Sequence, residues 1–260
     1  MMMLATMAMQ GHAQTANDVL FEEMDYSPEF TQFRVVGQAD RSHWMILRIY
    51  DSDDATEPVV ALNMIPDNDC WVIGYGGELG GDLKGKYYTF DSGHGESPGL
   101  FAKAVSVNGK RAAIIDMAST NPERWEKDVR PAVKSPDDLV IYEMHHRDFS
   151  VARPEAKYKG KFLALTEPWA IQHLEDLGVN AIHILPSYDY GSVDETRLNV
   201  PQYNWGYDPV NYNVPEGSYS TNPNDPACRI REFKQMVQAL HKAGLCHLDV
   251  YVLDKVGIEF

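Results

Sequence analysis

Hydrophobic and polar residues alternate in short runs over the first half of the chain and fall at helical spacing over much of the second. Phe33 to Val36 and Trp44 to Tyr50 are rich in β-branched and aromatic residues. Polar clusters bound them at Gly37-Gln38-Ala39-Asp40 and Asp51-Ser52-Asp53-Asp54, as strands require. Val59 to Met64, Cys70 to Tyr75 and Gly85 to Phe90 follow at short intervals. Asn108-Gly109 lies between Ala104-Val105-Ser106-Val107 and Ala112-Ala113-Ile114-Ile115, which predicts a hairpin, because a tight hairpin turn needs positive φ at its centre. Short strands with turn chemistry between them predict a β-sandwich over residues 28–118.

Residues 119–138 are rich in Pro and charge, notably Asn121-Pro122, Arg130-Pro131 and Ser135-Pro136-Asp137-Asp138, and read as a linker. The pattern then changes. Leu139 to Met144 predicts a strand, with His145-His146 at its end facing opposite ways, which disfavours a metal site built from that pair. Pro168 to Leu177 carries Ala170, Ile171, Leu174 and Leu177 at helical spacing, with Gly178 as a stop. Ala181 to Leu185 predicts a second strand. Pro226 to Ala243 predicts the clearest helix: Ile230, Phe233, Met236, Val237 and Leu240 form one face, and Arg229, Arg231, Glu232, Lys234, Gln238 and Lys242 lie mostly on the other. Asp225 caps it, Pro226 suits its first position and Gly244 ends it. Leu245 to Leu253 predicts a third strand. The order implies parallel strands with right-handed crossovers, an α/β unit over residues 139–260.

Composition narrows the function classes. The 260 residues are 44 % hydrophobic, enough for a packed core, and carry a formal charge of −15. That charge disfavours a nucleic-acid partner, which needs a basic stripe, and an anionic membrane surface, and is compatible with a neutral ligand such as a sugar. Cys70, Cys228 and Cys246 are too few and too scattered for a disulfide scaffold or a zinc site. No phosphate-cradling glycine loop follows a strand, so no nucleotide cofactor is implied. Met1 to Gly11 is an apolar run, and Gly11-His12-Ala13 offers small residues at the two positions a signal peptidase reads. A signal peptide over residues 1–13, with no membrane insertion after its removal and a secreted, periplasmic or cell-surface location, is expected. The first basic residue, Arg34, lies far downstream, so the expected leader lacks a basic start.

Ser187 to Asp225 reads as a long loop after the C-terminal end of a parallel strand, where α/β folds place their active sites. Its Tyr188, Tyr190, Tyr203, Trp205, Tyr207, Tyr212 and Tyr219 are interleaved with Asn, Asp and Gly. That mixture suits a carbohydrate, whose ring faces stack on aromatics, and equally suits rings that pack a loop on its scaffold.

Tyr203-Asn204-Trp205-Gly206-Tyr207-Asp208-Pro209, continuing through Val210 to Ser220, resembles the signature of type I pullulanases, debranching members of the α-amylase superfamily. Ile141-Tyr142-Glu143-Met144-His145 with Arg147-Asp148-Phe149 resembles the first barrel strand of that family. Leu185-Pro186 with Ser192-Val193-Asp194-Glu195 resembles its second strand and following loop. The resemblance implies a starch-binding-type β-sandwich followed by the first part of a (β/α)8 TIM barrel, and retaining hydrolysis of α-1,6-glucosidic bonds in pullulan, starch or glycogen-derived dextrins. Two carboxyl groups about 5 Å apart perform such hydrolysis. By the same resemblance Tyr207 stacks on the sugar, Trp205 shapes the pocket, and Tyr203 and Asp208 brace the loop. Glu143 and Asp148 take no catalytic role.

The resemblance weakens after Gly244. The family continues with Asp-Val-Val-Tyr-Asn-His, whereas Asp249-Val250 is followed here by Tyr251-Val252. The family nucleophile and acid/base belong to later strands, beyond Phe260. A (β/α)8 barrel takes about 250 residues, more than Leu139 to Phe260 provides. The expectation is an incomplete barrel, inactive by itself, with an α-glucan as partner, no metal or other cofactor assigned and calcium use left open. The alternative expectation is a non-catalytic glucan-binding module, with Trp44, Trp71, Tyr75 and Tyr87 as candidate rings in the sandwich, where core packing is the expected job for most.

Overall fold

The computed structural model describes residues 21–37, 43–77 and 80–249. The expected signal peptide, the turn residues Gln38 to Asp40 and the stretch from Val250 onward lie outside the described residues. Strands predominate and three α-helices are present among them.

Residues 21–113 form two antiparallel sheets. One has the order β1 (Met24–Tyr26), β2 (Phe30–Val36), β6 (Cys70–Gly76), β5 (Ile65–Asp67). The other has the order β4 (Val60–Asn63), β3 (Ile46–Tyr50), β7 (Tyr87–Asp91), β8 (Glu96–Ser97), and β9 (Ala112–Ala113) also pairs with β7. Burial along β2 alternates residue by residue, which turns Phe33 and Val35 inward. They meet Leu47 and Ile49 of β3, Trp71 of β6 and Tyr88 and Phe90 of β7 in one hydrophobic cluster. Phe33 and Tyr88, from opposite sheets, stack edge to face at 5.1 Å. The Asn108-Gly109 turn is a hairpin with both residues at positive φ, 58° and 65°, closed by the Ser106 amide on the Arg111 carbonyl at 2.8 Å. Of the four candidate rings in this part, Trp71 is core, Tyr75 and Tyr87 are half-buried and Trp44 is exposed.

Residues 119–138 contain three short 3-10 turns, and the first half of the segment is fastened along the last helix, α3 (Pro226–Lys242). Lys234 Nζ donates to Thr120 Oγ1 at 2.8 Å and Asn121 Oδ1 at 2.6 Å, and His241 Nδ1 meets Asp128 Oδ2 at 2.5 Å.

The remainder is built on a parallel sheet, β10 (Ile141–Met144), β11 (Ala181–Ile184), β14 (Cys246–Asp249), in that order. Ile141 pairs with Ala181 and Ala181 with Cys246. Helix α2 (Pro168–Asp176) connects the first two strands and α3 the second pair. Ile182, Ile184, Leu174, Phe233, Met236 and Leu240 join these layers in one apolar cluster.

Three sequence expectations are corrected here. His145 and His146 are not on a strand: β10 ends at Met144, and His145 caps a one-turn helix, α1 (His146–Ser150), through the Asp148 amide. Both rings consequently turn into the same aromatic cluster around Tyr219. Ser187 to Asp225 is not a plain loop, because β12 (Tyr188–Tyr190) and β13 (Pro209–Pro215) pair antiparallel inside it with two irregularities in register. Finally, Arg229, Glu232 and Lys234 of α3 are buried rather than solvated. Each reaches a polar partner brought from elsewhere, which is the condition on which a charged side chain leaves water.

Candidate functional site

The β12–β13 hairpin carries residues 191–208 as its connection, and the aromatic motif occupies the end of that connection. From Gln202 to Tyr207 the chain alternates as a strand does, without a strand beside it. Tyr203, Trp205 and Tyr207 face solvent, with 81 %, 60 % and 42 % of their surfaces exposed, while Asn204 and Gly206 are buried. Trp205 and Tyr207 lie edge to face with centroids 5.3 Å apart. The result is an aromatic stripe open to solvent.

Side chains, not a backbone ladder, hold the inward positions. Gln202 Nε2 donates to the Asp194 carbonyl at 3.0 Å while its Oε1 accepts from the Asp194 amide at 2.8 Å. Asn204 Nδ2 donates to Ser192 Oγ at 2.7 Å, and its Oδ1 accepts from the Gly206 amide. Gly206 has φ 89° and a Cβ there would stand 2.7 Å from the Pro186 carbonyl, so only glycine fits. The Arg147 guanidinium donates to the carbonyls of Gln202 at 2.8 Å and Asn204 at 3.1 Å. The bracing expected of Tyr203 is therefore supplied by Gln202, Asn204 and Arg147. Asp208 contributes through its backbone, whose carbonyl accepts from the Gly191 amide at 3.2 Å. Its carboxylate is exposed beside the stripe.

Beneath this loop lies a buried charge cluster that sequence reasoning did not anticipate. Arg229 is fully buried, with Nη1 3.0 Å from Asp189 and Nη2 3.1 Å from Glu195. Glu216, also fully buried, accepts from the Ser218 amide at 2.8 Å and the Tyr190 amide at 3.1 Å. The hairpin turn of the antiparallel sheets docks on the same cluster. The Asn108 amide donates to Glu195 Oε2 and Asn108 Oδ1 accepts from the Glu195 amide, both at 2.7 Å. Asn211 Nδ2 donates to Asp189 Oδ2 at 2.6 Å. Burial pushes Asp189 up to about 6 against the opposing pull of Arg229. Burial, then the neighbouring Glu195 and Asp189, raises Glu216 as well.

Asp189, Glu195 and Glu216 offer oxygens within 4.8 Å of one another, the only such acidic or metal-ligating group among the described residues. The donor set does not need an ion, because the Arg229 guanidinium already supplies a cation in contact with two of the three carboxylates. The cluster is sealed from solvent and Arg229 pairs with two of its carboxylates, leaving only Glu195 Oε1 and Arg229 Nε without a hydrogen-bond partner there, so it suits fastening the hairpin and α3 together rather than reacting with a substrate. Among the candidates set aside from sequence, Glu143 pairs with His183 at 3.1 Å and Asp148 lies near Arg147 and His145, both carboxylates being exposed.

The signals for the missed residues were present but oblique. Arg229 stands four residues before Phe233 and seven before Met236, on the apolar face of α3, where a charge calls for a buried partner. Arg147 sits in a one-turn helix too short to show any period.

No family model matches the chain. The pullulanase of Bacillus subtilis is 38 % identical over 179 residues, which is 64 % of this chain and 24 % of that protein. The chloroplastic pullulanase 1 of Arabidopsis thaliana is 33 % identical over 184 residues, 56 % of this chain and 19 % of that one. A crystal structure of a Paenibacillus barengoltzii pullulanase mutant complexed with maltotriose superposes with a TM-score of 0.81 at 43 % identity, covering 87 % of this chain and 37 % of the other. The chain is homologous to pullulanases. The pullulanase of the same organism in complex with maltohexaose and α-cyclodextrin gives a TM-score of 0.82 at 38 % identity, over 95 % of this chain and 41 % of that one. The chain thus spans about a quarter of the Bacillus subtilis pullulanase and two fifths of the solved pullulanase chain. Its strand-rich architecture with three helices matches part of the pullulanase structures.

Proposed function

We propose that this chain is the glucan-recognising portion of a pullulanase-like debranching enzyme, with Trp205 and Tyr207 as stacking platforms and Tyr203 and Asp208 at their margin. The observation that carries the reading is the alternation over Gln202 to Tyr207, which commits three rings to solvent while polar side chains hold the backbone from behind. Sequestering such rings would be favoured by the hydrophobic effect, so their exposure on a braced loop points to a ligand with apolar faces. Solved relatives hold maltotriose and maltohexaose. On this reading the two antiparallel sheets are the starch-binding-type sandwich of residues 28–118, residues 119–138 join it to the next domain, and the parallel sheet of residues 139–260 is the start of a (β/α)8 barrel. Export on the apolar run at residues 1–13 belongs to the same proposal.

Hydrolysis of an α-1,6 bond with retention needs two carboxyl groups about 5 Å apart flanking the bond. The buried carboxylates beneath the stripe, Asp189, Glu195 and Glu216, cluster around Arg229 instead of lining an open cleft, and on this reading the chain binds without cleaving. Electrophoresis through a gel containing pullulan tests both halves of the proposal. The chain is expected to be retarded and to release no reducing ends, and Trp205→Ala to run as in a gel without glucan. Unretarded migration of the unaltered chain would refute the binding half, and new reducing ends the other.

A further inference from the structure

The stripe is only as good a platform as its backbone is fixed, and two of its carbonyls are held by one side chain from a distant element. Helix α1 is itself anchored. His145 Nε2 lies 3.0 Å from the Tyr219 hydroxyl, His146 Nε2 lies 3.1 Å from Ser187 Oγ, and Ser150 Oγ accepts from the Gly160 amide at 2.7 Å. Arg147 projects from this turn and donates from its two terminal nitrogens to the carbonyls of Gln202 and Asn204. Carbonyls two residues apart in extended chain point the same way, and the residues between and beyond them present their side chains in alternation. A planar guanidinium has its donors in a fixed fork, so engaging both carbonyls sets the twist of the segment as well as its position.

We propose that Arg147 is the positioning residue of the aromatic stripe: it touches no sugar, and it holds Gln202 to Tyr207 in the alternation that presents Trp205 and Tyr207 together. This rests on the glucan-binding reading above for its consequence, but not for its geometry. Without the guanidinium two carbonyls lose charge-assisted donors, and the segment keeps the braces at Gln202 and Asn204 and the His145 contact to the Asn204 backbone. The ring pair, 5.3 Å apart, then loses the registration that one bound sugar needs to meet both rings at once.

The test uses the full chain labelled with 5-fluorotryptophan, the Trp205 resonance being assigned by comparison with Trp205→Phe. Arg147→Ala should leave the far-UV circular dichroism melt in place, move the Trp205 line toward the position of free fluorotryptophan, and weaken maltotriose binding about tenfold, the worth of roughly one charge-assisted hydrogen bond. Arg147→Lys, which keeps the charge but offers a single donor group, should fall between, and it serves as the test variant if the alanine chain does not fold. A folded variant whose Trp205 line matches that of the unaltered chain would overturn the proposal, whatever its maltotriose affinity. Absence of maltotriose binding by the unaltered chain would count against the function proposed above. The Trp205 line, which needs no sugar, decides the role of Arg147 by itself.

Discussion

Replacing Arg229 with methionine keeps most of the side-chain volume and removes the charge. Asp189 and Glu195 lose a donor at 3.0 and 3.1 Å, and the fully buried Glu216 loses the positive charge that interacts with it across the cluster. Breaking a buried ion pair by deleting one partner costs about 3–5 kcal/mol, because the other charge stays in a medium that solvates it poorly. Each kcal/mol moves the midpoint of a domain of this size by about 2–4 °C, so a fall of about 6–20 °C is expected near neutral pH.

The pH dependence separates lost charge from lost packing. Asp189 is held up to about 6 by burial, and Arg229 is the largest influence opposing that rise, so the variant lifts it further. A carboxyl that binds its proton more tightly when folded contributes stability that is complete below its unfolded value, 3.8 for Asp189, and is lost as the pH climbs through the folded value. In the unaltered chain that loss runs from 3.8 to about 6, and in the variant the window extends upward. The two chains should therefore approach one another at about pH 4.5 and diverge at about pH 7.5. Urea unfolding followed by circular dichroism at both pH values reads the difference. A deficit under about 1 kcal/mol at the higher pH, or an equal deficit at both, would refute the charge argument, since a packing defect has no reason to follow protons.

Two further perturbations address the other half of the molecule and the junction. Glu23 is buried among the antiparallel strands, with its carboxyl 3.4 Å from the Tyr88 hydroxyl and 3.1 Å from the Phe101 amide, and burial pushes it up to about 8. The unaltered chain should lose stability as pH rises from 4.5 through about 8, and Glu23→Gln should flatten that slope in a series of thermal melts; parallel slopes would place the source elsewhere. Gly109→Ala would set a Cβ 2.4 Å from Asp189 Oδ2 and 2.5 Å from Asn211 Nδ2 at a φ of 65°, so a loss of about 1–3 kcal/mol is expected by urea titration. Stability equal to that of the parent would mean that the turn is not seated on the charge cluster.

The elements that sequence patterning located are those whose own residues carry the period. β2 alternates over seven residues, and α3 repeats its apolar stripe over nearly five turns. The strands that escaped, β1, β5 and β8, are two or three residues long and contain too few positions for alternation to register. β12 escaped for a different reason. Tyr188, Asp189 and Tyr190 are all buried, so one face cannot be told from the other, and the prolines at both ends of β13 argue against a strand until its edge position is known. The polar side of α3 was misassigned because a helical wheel shows where Arg229 points without showing what meets it. Its partners Asp189 and Glu195 lie 40 and 34 residues earlier.

The same distinction runs through the site. Its outward face is local: of the seven rings interleaved over residues 187–225, Tyr203, Trp205 and Tyr207 of the motif, with Tyr212, meet solvent, whereas Tyr188, Tyr190 and Tyr219 are buried. Its inward face is assembled from afar, since Arg147 stands 55 residues before Gln202, and Asn108 stands 87 residues before the Glu195 it clasps. A side chain that binds a ligand can be guessed from its own chemistry, because aromatic rings and amides suit sugars wherever they occur. A side chain that positions another is recognised by its partner's backbone, and a carbonyl has no signature in the sequence. Arg147 was therefore visible in the sequence only as a member of a motif resembling a barrel strand, and its hold on the stripe emerged when the fold brought α1 under the loop. For this chain the residues whose loss would be hardest to foresee from the motif are those that hold it from beneath.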